Sequence, residues 1–141
     1  RPAEGVHVGV AIALRGGGLV APAIHDTDKL SLDQVMDGLR DLVERVRAGR
    51  FRSSELSDPT ITLTSLGDRG VDTVVPVIYP PQVAIAGAGT PRLRPWVAGG
   101  KVKARTVVTL SLAGDHRAGD GHQGALFLAT WAEFLQDAKR L

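Results

Sequence analysis

The residues of this chain best suited to chemistry lie in Ser111-Leu112-Ala113-Gly114-Asp115-His116-Arg117-Ala118-Gly119-Asp120-Gly121, between an apolar strand-like run and a helix-like one. An imidazole titrates near neutrality and can take and return a proton, and an aspartate four residues on can hold the loop that carries it. Loops at the ends of rigid elements keep such groups both fixed and accessible. The same string also reads as a plain turn, with Gly114, Gly119 and Gly121 giving backbone freedom, Asp120 capping the next helix and His116 facing water. The rest of the chain decides between the two.

A base needs a scaffold, and the composition supplies one. The 141 residues fit one ordinary domain, and 43% hydrophobic with 23% charged residues are the proportions of a globular protein. Only 4% are aromatic, so the core is aliphatic. A net charge of +2, with Lys and Arg scattered among acids, gives no footprint for nucleic acid. No apolar run is long enough to cross a bilayer and Arg1 to Gly5 is not an apolar leader, so no membrane partner is expected and the cytoplasm is the expected location. Zero cysteines remove disulfides, thiolate metal ligands and a cysteine nucleophile; thiol chemistry here uses substrate thiols.

In chain order, Val6 to Leu14 is apolar and β-branched, and Leu19 to Ile24 resumes the pattern after Arg15-Gly16-Gly17-Gly18, which predicts a hairpin. The three glycines lack the Gly-Lys-Ser/Thr and following helix of a phosphate loop. Pro22 favours an edge. Ser31 and Gln34 form a capping box that opens a helix, in which Val35, Met36, Leu39, Leu42, Val43 and Val46 recur every three or four positions until Gly49. Phe51 to Asp58 reads as a polar loop. In Pro59 to Gly67 the alternation puts Thr60, Thr62 and Thr64 on one face and Ile61 and Leu63 on the other; a threonine face is equally the solvent side of an ordinary strand. Val71 to Ile78 leads into Tyr79-Pro80-Pro81-Gln82, whose prolines stiffen the approach to a strand of small residues, Val83 to Gly89.

Pro91 to Val97 and Lys101 to Arg105 predict a basic hairpin, read as a charged edge that resists aggregation. Thr106 to Ala113 is a strand feeding the His116 loop, and Ala125 to about Lys139 a final amphipathic helix with Trp131 in the core. His7 reads as buried in a strand, His25 as a loop residue and His122 as lying near the site or opening the last helix, with no ligand spacing among them. Strands and helices without regular βαβ alternation make an α+β domain with a mixed or antiparallel sheet.

Four blocks, in order, resemble one family: Gly18-Leu19-Val20-Ala21-Pro22-Ala23-Ile24 with Asp26-Thr27-Asp28-Lys29, then Thr62-Leu63-Thr64-Ser65-Leu66-Gly67, then Pro80-Pro81-Gln82-Val83-Ala84-Ile85, and Asp115-His116-Arg117 with Asp120-Gly121. The chain resembles the C-terminal part of the catalytic domain of dihydrolipoyl acyltransferases, the core components of 2-oxo acid dehydrogenase complexes. The resemblance implies a chloramphenicol acetyltransferase-like α+β fold, a mixed sheet with helices packed on one face. It implies one partial domain over residues 1–141, with the domain's N-terminal portion absent. It implies His116 as the catalytic histidine, Asp120 as its accompanying aspartate and Thr64 at the position of a catalytic hydroxyl. It further implies a homotrimer or higher cage with the channel between subunits, coenzyme A as substrate, a lipoyl group on a lipoyl domain in a separate domain or chain, decarboxylase and dihydrolipoyl dehydrogenase subunits as partners, and no metal. Ala118-Gly119 stand where the family usually has a bulky apolar pair, Gly114 where an aromatic or apolar residue is common, and Ser65 where Asn is frequent; these departures bear on efficiency and substrate choice.

The implied reaction passes an acyl group between dihydrolipoamide and coenzyme A, one thioester for another. A free thiol, with a pKa of about 8.5, is barely ionised at neutral pH and needs a base, which imidazole at about 6.5 supplies. His116 is the expected base and Thr64 the expected donor to the oxyanion, worth on the order of 2 to 4 kcal/mol in the transition state. Asp120 is expected to hold the loop or an adjacent subunit. A second class of function stays open: a non-catalytic structural core of the same fold, serving assembly or the binding of peripheral subunits.

Overall fold

A computed structural model describes residues 3–67 and 70–137. The chain opens with β1 (Val8–Val10) and β2 (Ile12–Ala13), turns through Gly16, Gly17 and Gly18, and returns as β3 (Leu19–Val20) and β4 (Ala23–Ile24). The expected hairpin is present but split: β2 pairs with β3, β1 with β4, and the break falls at Ala11 and Ala21-Pro22. Proline has no N–H to give a ladder, so the pairing steps around it, and β4 is the edge of the main sheet.

Helix α1 (Leu32–Arg47) starts where the capping box predicts, with Ser31 Oγ accepting from Gln34 N and Gln34 Oε1 from Ser31 N. It ends at Gly49, whose φ of 71° suits the left-handed position past a helix end. Leu42 and Val46 are its buried residues, closing a core with Ile12 against Val10, Leu14, Val20, Ile24 and Phe51. The stretch expected as a polar loop contains a second short helix, α2 (Ser53–Ser57). Five residues do not sustain a helix alone. Glu55 anchors this one: its carboxylate accepts from Arg45 Nη2 and Nη1, at 2.8 and 3.0 Å, and from Arg52 N at 2.8 Å.

Next come β5 (Ile61–Ser65), β6 (Ala84–Ala88), β7 (Arg92–Ala98), β8 (Lys101–Val107), β9 (Leu110–Gly114) and α3 (Gly121–Gln136). The predicted run Thr106 to Ala113 is thus divided between β8 and β9. The end of the last helix near Lys139 lies outside the described residues. The main sheet has the order β4-β1-β5-β6-β9, with β1, β5 and β6 parallel and both flanking pairs antiparallel, the expected mixed sheet. A separate two-stranded ribbon is made by β7 and β8.

Register assigns the faces. Val8, Val10, Ile61, Leu63, Ala86 and Leu112 share one face, where Val10 joins the α1 core and Leu112 lies under Gly124 of α3. Both long helices therefore pack on that face, as the resemblance implies. Gly9, Thr62, Thr64, Gly87 and Ser111 share the other, crossed by the extended segment 71–82. Gly87 is required there: a Cβ would come within 2.5 Å of Ser111 Oγ and 3.2 Å of Val74 Cβ. The small residues of β6 let that segment lie down on the sheet.

Candidate active site

The turn that carries His116 is fixed at both ends. At its start Asp115 N donates to Val83 O at 2.8 Å, and Ala118 N and Gly119 N donate back to Asp115 O. The Asp115 carboxylate accepts from Arg117 N and from the Arg117 guanidinium, with contacts down to 2.6 Å. The Arg117 side chain first, and its backbone N–H second, hold the Asp115 carboxyl down at about 2, so the clamp is ionised throughout the working range of an enzyme. At the far end Asp120 Oδ1 accepts from Gln123 N at 2.9 Å and Gln123 Oε1 from Asp120 N, a second capping box. Asp120 thus holds loop to helix. His116 is exposed, and its imidazole makes no hydrogen bond among the described residues.

Thr64 is distinguished from its neighbours by what its hydroxyl does not do. Thr60 Oγ1 accepts from His7 N and donates to His7 O, and buried Thr62 Oγ1 donates to Gln82 Oε1 at 2.7 Å. The partly buried Thr64 hydroxyl makes no hydrogen bond among the described residues. Of the three threonines on this face, it alone has its donor free for a ligand.

One chain does not bring the two groups together. Thr64 stands on the rung Thr64/Gly87/Ser111, whereas β9 ends at Gly114 opposite Ala84, three residues further along, and His116 lies two residues beyond that. At about 3.3 Å per strand residue the rungs alone are about 10 Å apart, and the two groups sit toward opposite ends of the sheet. A recess of about 210 Å³ under the loop is lined by Asp115, Asp120, Gln123 and Phe127 but not by His116 or Thr64. A cavity of about 560 Å³ lies between Arg15 and α1 and is lined by neither.

Two features went unseen in the sequence. His25 Nε2 pairs with Asp58 Oδ2 at 3.0 Å, joining residues 33 apart, and the His7 and His25 rings lie 5.0 Å apart. His7 precedes β1 and is only half-buried, its Nδ1 accepting from Asp26 N. No local spacing announces such a pair. Trp131, expected in the core, is instead half-buried at the edge of an apolar groove of about 380 Å³ with Val8, Leu63, Phe127 and Phe134. His122 opens α3, exposed. Among the described residues no group of three or more His, Cys, Asp or Glu could hold a metal ion, and no helix is long and apolar enough to cross a membrane.

The chain thus has a mixed sheet with two helices on one face, a threonine hydroxyl on the other and a histidine on a clamped loop. The chain belongs to the family 2-oxoacid dehydrogenases acyltransferase (catalytic domain), which it matches over residues 2–141. It is 37% identical over 136 residues to the dihydrolipoyllysine-residue acetyltransferase component of the acetoin cleaving system of Bacillus subtilis (strain 168), covering 96% of this chain and 34% of the relative. The solved dihydrolipoamide acetyltransferase of Azotobacter vinelandii superposes with a TM-score of 0.88 at 30% identity, over 96% of this chain and 55% of that one. The cubic core of a pyruvate dehydrogenase multienzyme complex matches equally, with TM-score 0.88, 30% identity, 96% and 55% coverage. The chain therefore spans about a third of its curated relative and about half of each solved chain. In the Azotobacter enzyme a serine, a histidine and an asparagine were investigated for their part in catalysis; the histidine follows the serine by 52 residues and precedes the asparagine by 4. Thr64, His116 and Asp120 have those same two separations.

Proposed function

We propose that this chain transfers an acyl group between dihydrolipoamide and coenzyme A in a 2-oxo acid dehydrogenase complex, at a site built from His116 of one copy and Thr64 of another. The observation that carries this reading is the pair of unengaged groups, a free imidazole and a free hydroxyl, at opposite ends of one sheet. Head-to-tail association of two copies brings such ends together.

At that site the His116 imidazole takes the proton of the coenzyme A thiol as its sulfur attacks the thioester carbonyl of S-acyl-dihydrolipoamide. A C–S bond forms and the carbonyl electrons move to oxygen, where the Thr64 hydroxyl donates to the oxyanion. Collapse breaks the original C–S bond, and the His116 imidazolium returns its proton to the departing dihydrolipoamide thiolate. No acyl-enzyme is needed. Asp120 and the Asp115–Arg117 clamp act as positioning groups for the loop. The lipoyl group arrives on a lipoyl domain in a separate domain or chain. The assembly is a homotrimer or higher cage that works in the cytoplasm with decarboxylase and dihydrolipoyl dehydrogenase subunits.

His116→Ala is expected to lower kcat for transfer to coenzyme A by about 10²- to 10⁴-fold while leaving the mass of the assembly unchanged. Surviving turnover would remove His116 from the mechanism. Normal assembly by the unmutated protein without any transfer would favour the structural-core reading instead.

A further inference from the structure

On its sheet side the His116 loop begins at one main-chain contact. The β6–β9 ladder ends with Ala84 opposite Gly114, and one step further Asp115 N donates to Val83 O at 2.8 Å. The start of the loop then folds back on Asp115: Ala118 N and Gly119 N donate to its carbonyl, and the Arg117 guanidinium donates to its carboxylate. Where His116 leaves the sheet therefore depends on where the Val83 carbonyl stands.

Little else holds that carbonyl. Val83 follows the turn Tyr79–Gln82, closed by Gln82 N donating to Tyr79 O at 3.0 Å, at the end of an extended stretch that pairs with no strand. Tyr79, Pro80 and Pro81 are exposed, and proline has no N–H to donate. Gln82 makes the only side-chain hydrogen bond from residues 79–82 to the sheet among the described residues, its Oε1 accepting from Thr62 Oγ1 at 2.7 Å. Thr62 is well placed to hold it. At 4% exposure it is one of two buried polar side chains among the described residues, and its hydroxyl lies over Gly9, its partner on β1, where a Cβ would come within 2.9 Å. A buried hydroxyl without access to water keeps the acceptor it has, because leaving it unpaired is costly.

We infer that Thr62 and Gln82 are positioning residues for His116. The path is short: Thr62 Oγ1 to Gln82 Oε1, Gln82 to the adjoining Val83, Val83 O to Asp115 N, and Asp115 to His116. It crosses from β5 to the end of β9 without using the Thr64 hydroxyl, so the strand that carries one functional group also sets the loop that carries the other. The inference rests on the reading of His116 as the base. A proton-transferring group works only within hydrogen-bond reach, and a misplacement of about 1 Å can cost about 100-fold in rate.

The test uses the full-length chain and reads loop position separately from turnover. Thr62→Val keeps the shape and removes the donor; Gln82→Leu removes the acceptor. Each is expected to lower kcat by about 10- to 100-fold with KM for coenzyme A within about 2-fold, since neither side chain is assigned a substrate contact. Each is also expected to reduce hydrogen-exchange protection of the Asp115 N–H by about 10-fold, through local opening at Val83. Thr62→Ser, which keeps the hydroxyl, is expected to restore both. Thr90→Val removes a similar hydrogen bond, to Leu66 O at the other end of β6, and is expected to leave Asp115 protection unchanged. The inference is overturned if Thr62→Val keeps full Asp115 protection, if Thr62→Ser is as impaired as Thr62→Val, or if KM rises while kcat holds. Failure of the catalytic reading looks different: Asp115 protection would fall in both variants as expected, while His116→Ala retained turnover.

Discussion

The two long helices lie on the same sheet face and differ in what they bury. Helix α1 closes a core of its own, with Leu42 and Val46 at 2% and 1% exposure, an outer face of charged residues, and a side-chain clamp, Arg45 to Glu55, that ties the next helix to it. Helix α3 has no fully buried residue; Leu126, Phe127, Phe134 and Leu135 remain open to solvent, and the groove beside it is almost wholly apolar. The α1 half holds the buried cluster of Ile12, Leu42 and Val46, whereas the helix that follows the His116 loop buries none of its residues fully.

That contrast is open to test. Leu42→Ala should show the largest effect on stability, about 3 kcal/mol, because its methyl groups leave a void in a closed core. Leu126→Ala, at an exposed position of α3, should change stability of the dissociated chain by less than about 0.5 kcal/mol. Urea unfolding of both variants compares the halves directly; equal losses would erase the distinction.

Next in size is the Arg45–Glu55 clamp. Arg45→Met leaves a mostly buried carboxylate without its partner and is expected to cost about 2 kcal/mol, below the value for a fully buried pair because Arg45 is partly in water. Its pH dependence follows from the sign of the shift. The Arg45 guanidinium, and then the Arg52 N–H, hold the Glu55 carboxyl below its ordinary 4.5. The contribution is therefore fully present above that value and is lost as pH falls through the lower folded value. Acid titration of unfolding should show a steeper loss for the unmutated chain than for Arg45→Met; parallel curves would contradict the assignment.

The smallest effect sharpens the role of Asp120. As a helix cap, Asp120→Ala should cost about 1 kcal/mol, while Asp120→Asn, with an equally good cap acceptor, should cost only a few tenths. Transfer activity is expected to follow the cap: retained in Asp120→Asn, reduced in Asp120→Ala through a looser His116 loop. A large kcat loss in Asp120→Asn with stability intact would make the carboxylate's charge part of the chemistry.

What the sequence discloses and what it hides divide along range. Ser31 with Gln34, the threonine alternation of Pro59 to Gly67 and the ribbon are local patterns, and the structure has each of them where the spacing puts it. Helix α2 was missed because its anchor, Arg45, lies ten residues before Glu55 and no periodicity of its own marks five residues as helical. The same holds for His25 with Asp58. Alternation could assign Thr60, Thr62 and Thr64 to a face but could not say which hydroxyl is free; that depended on Gln82 reaching Thr62 and on His7 occupying Thr60. Whether Trp131 is core depended on what stands next to α3, which no pattern within the helix records.

The central claim is that one reaction site takes its hydroxyl and its imidazole from different copies. Chains carrying His116→Ala and chains carrying Thr64→Ala, each strongly impaired alone, can be dissociated, mixed in equal amounts and reassembled. The account predicts recovery of about a quarter of the unmutated transfer rate, since random association gives that share of interfaces one intact residue from each partner. A mixture no more active than the average of its two parents would contradict it.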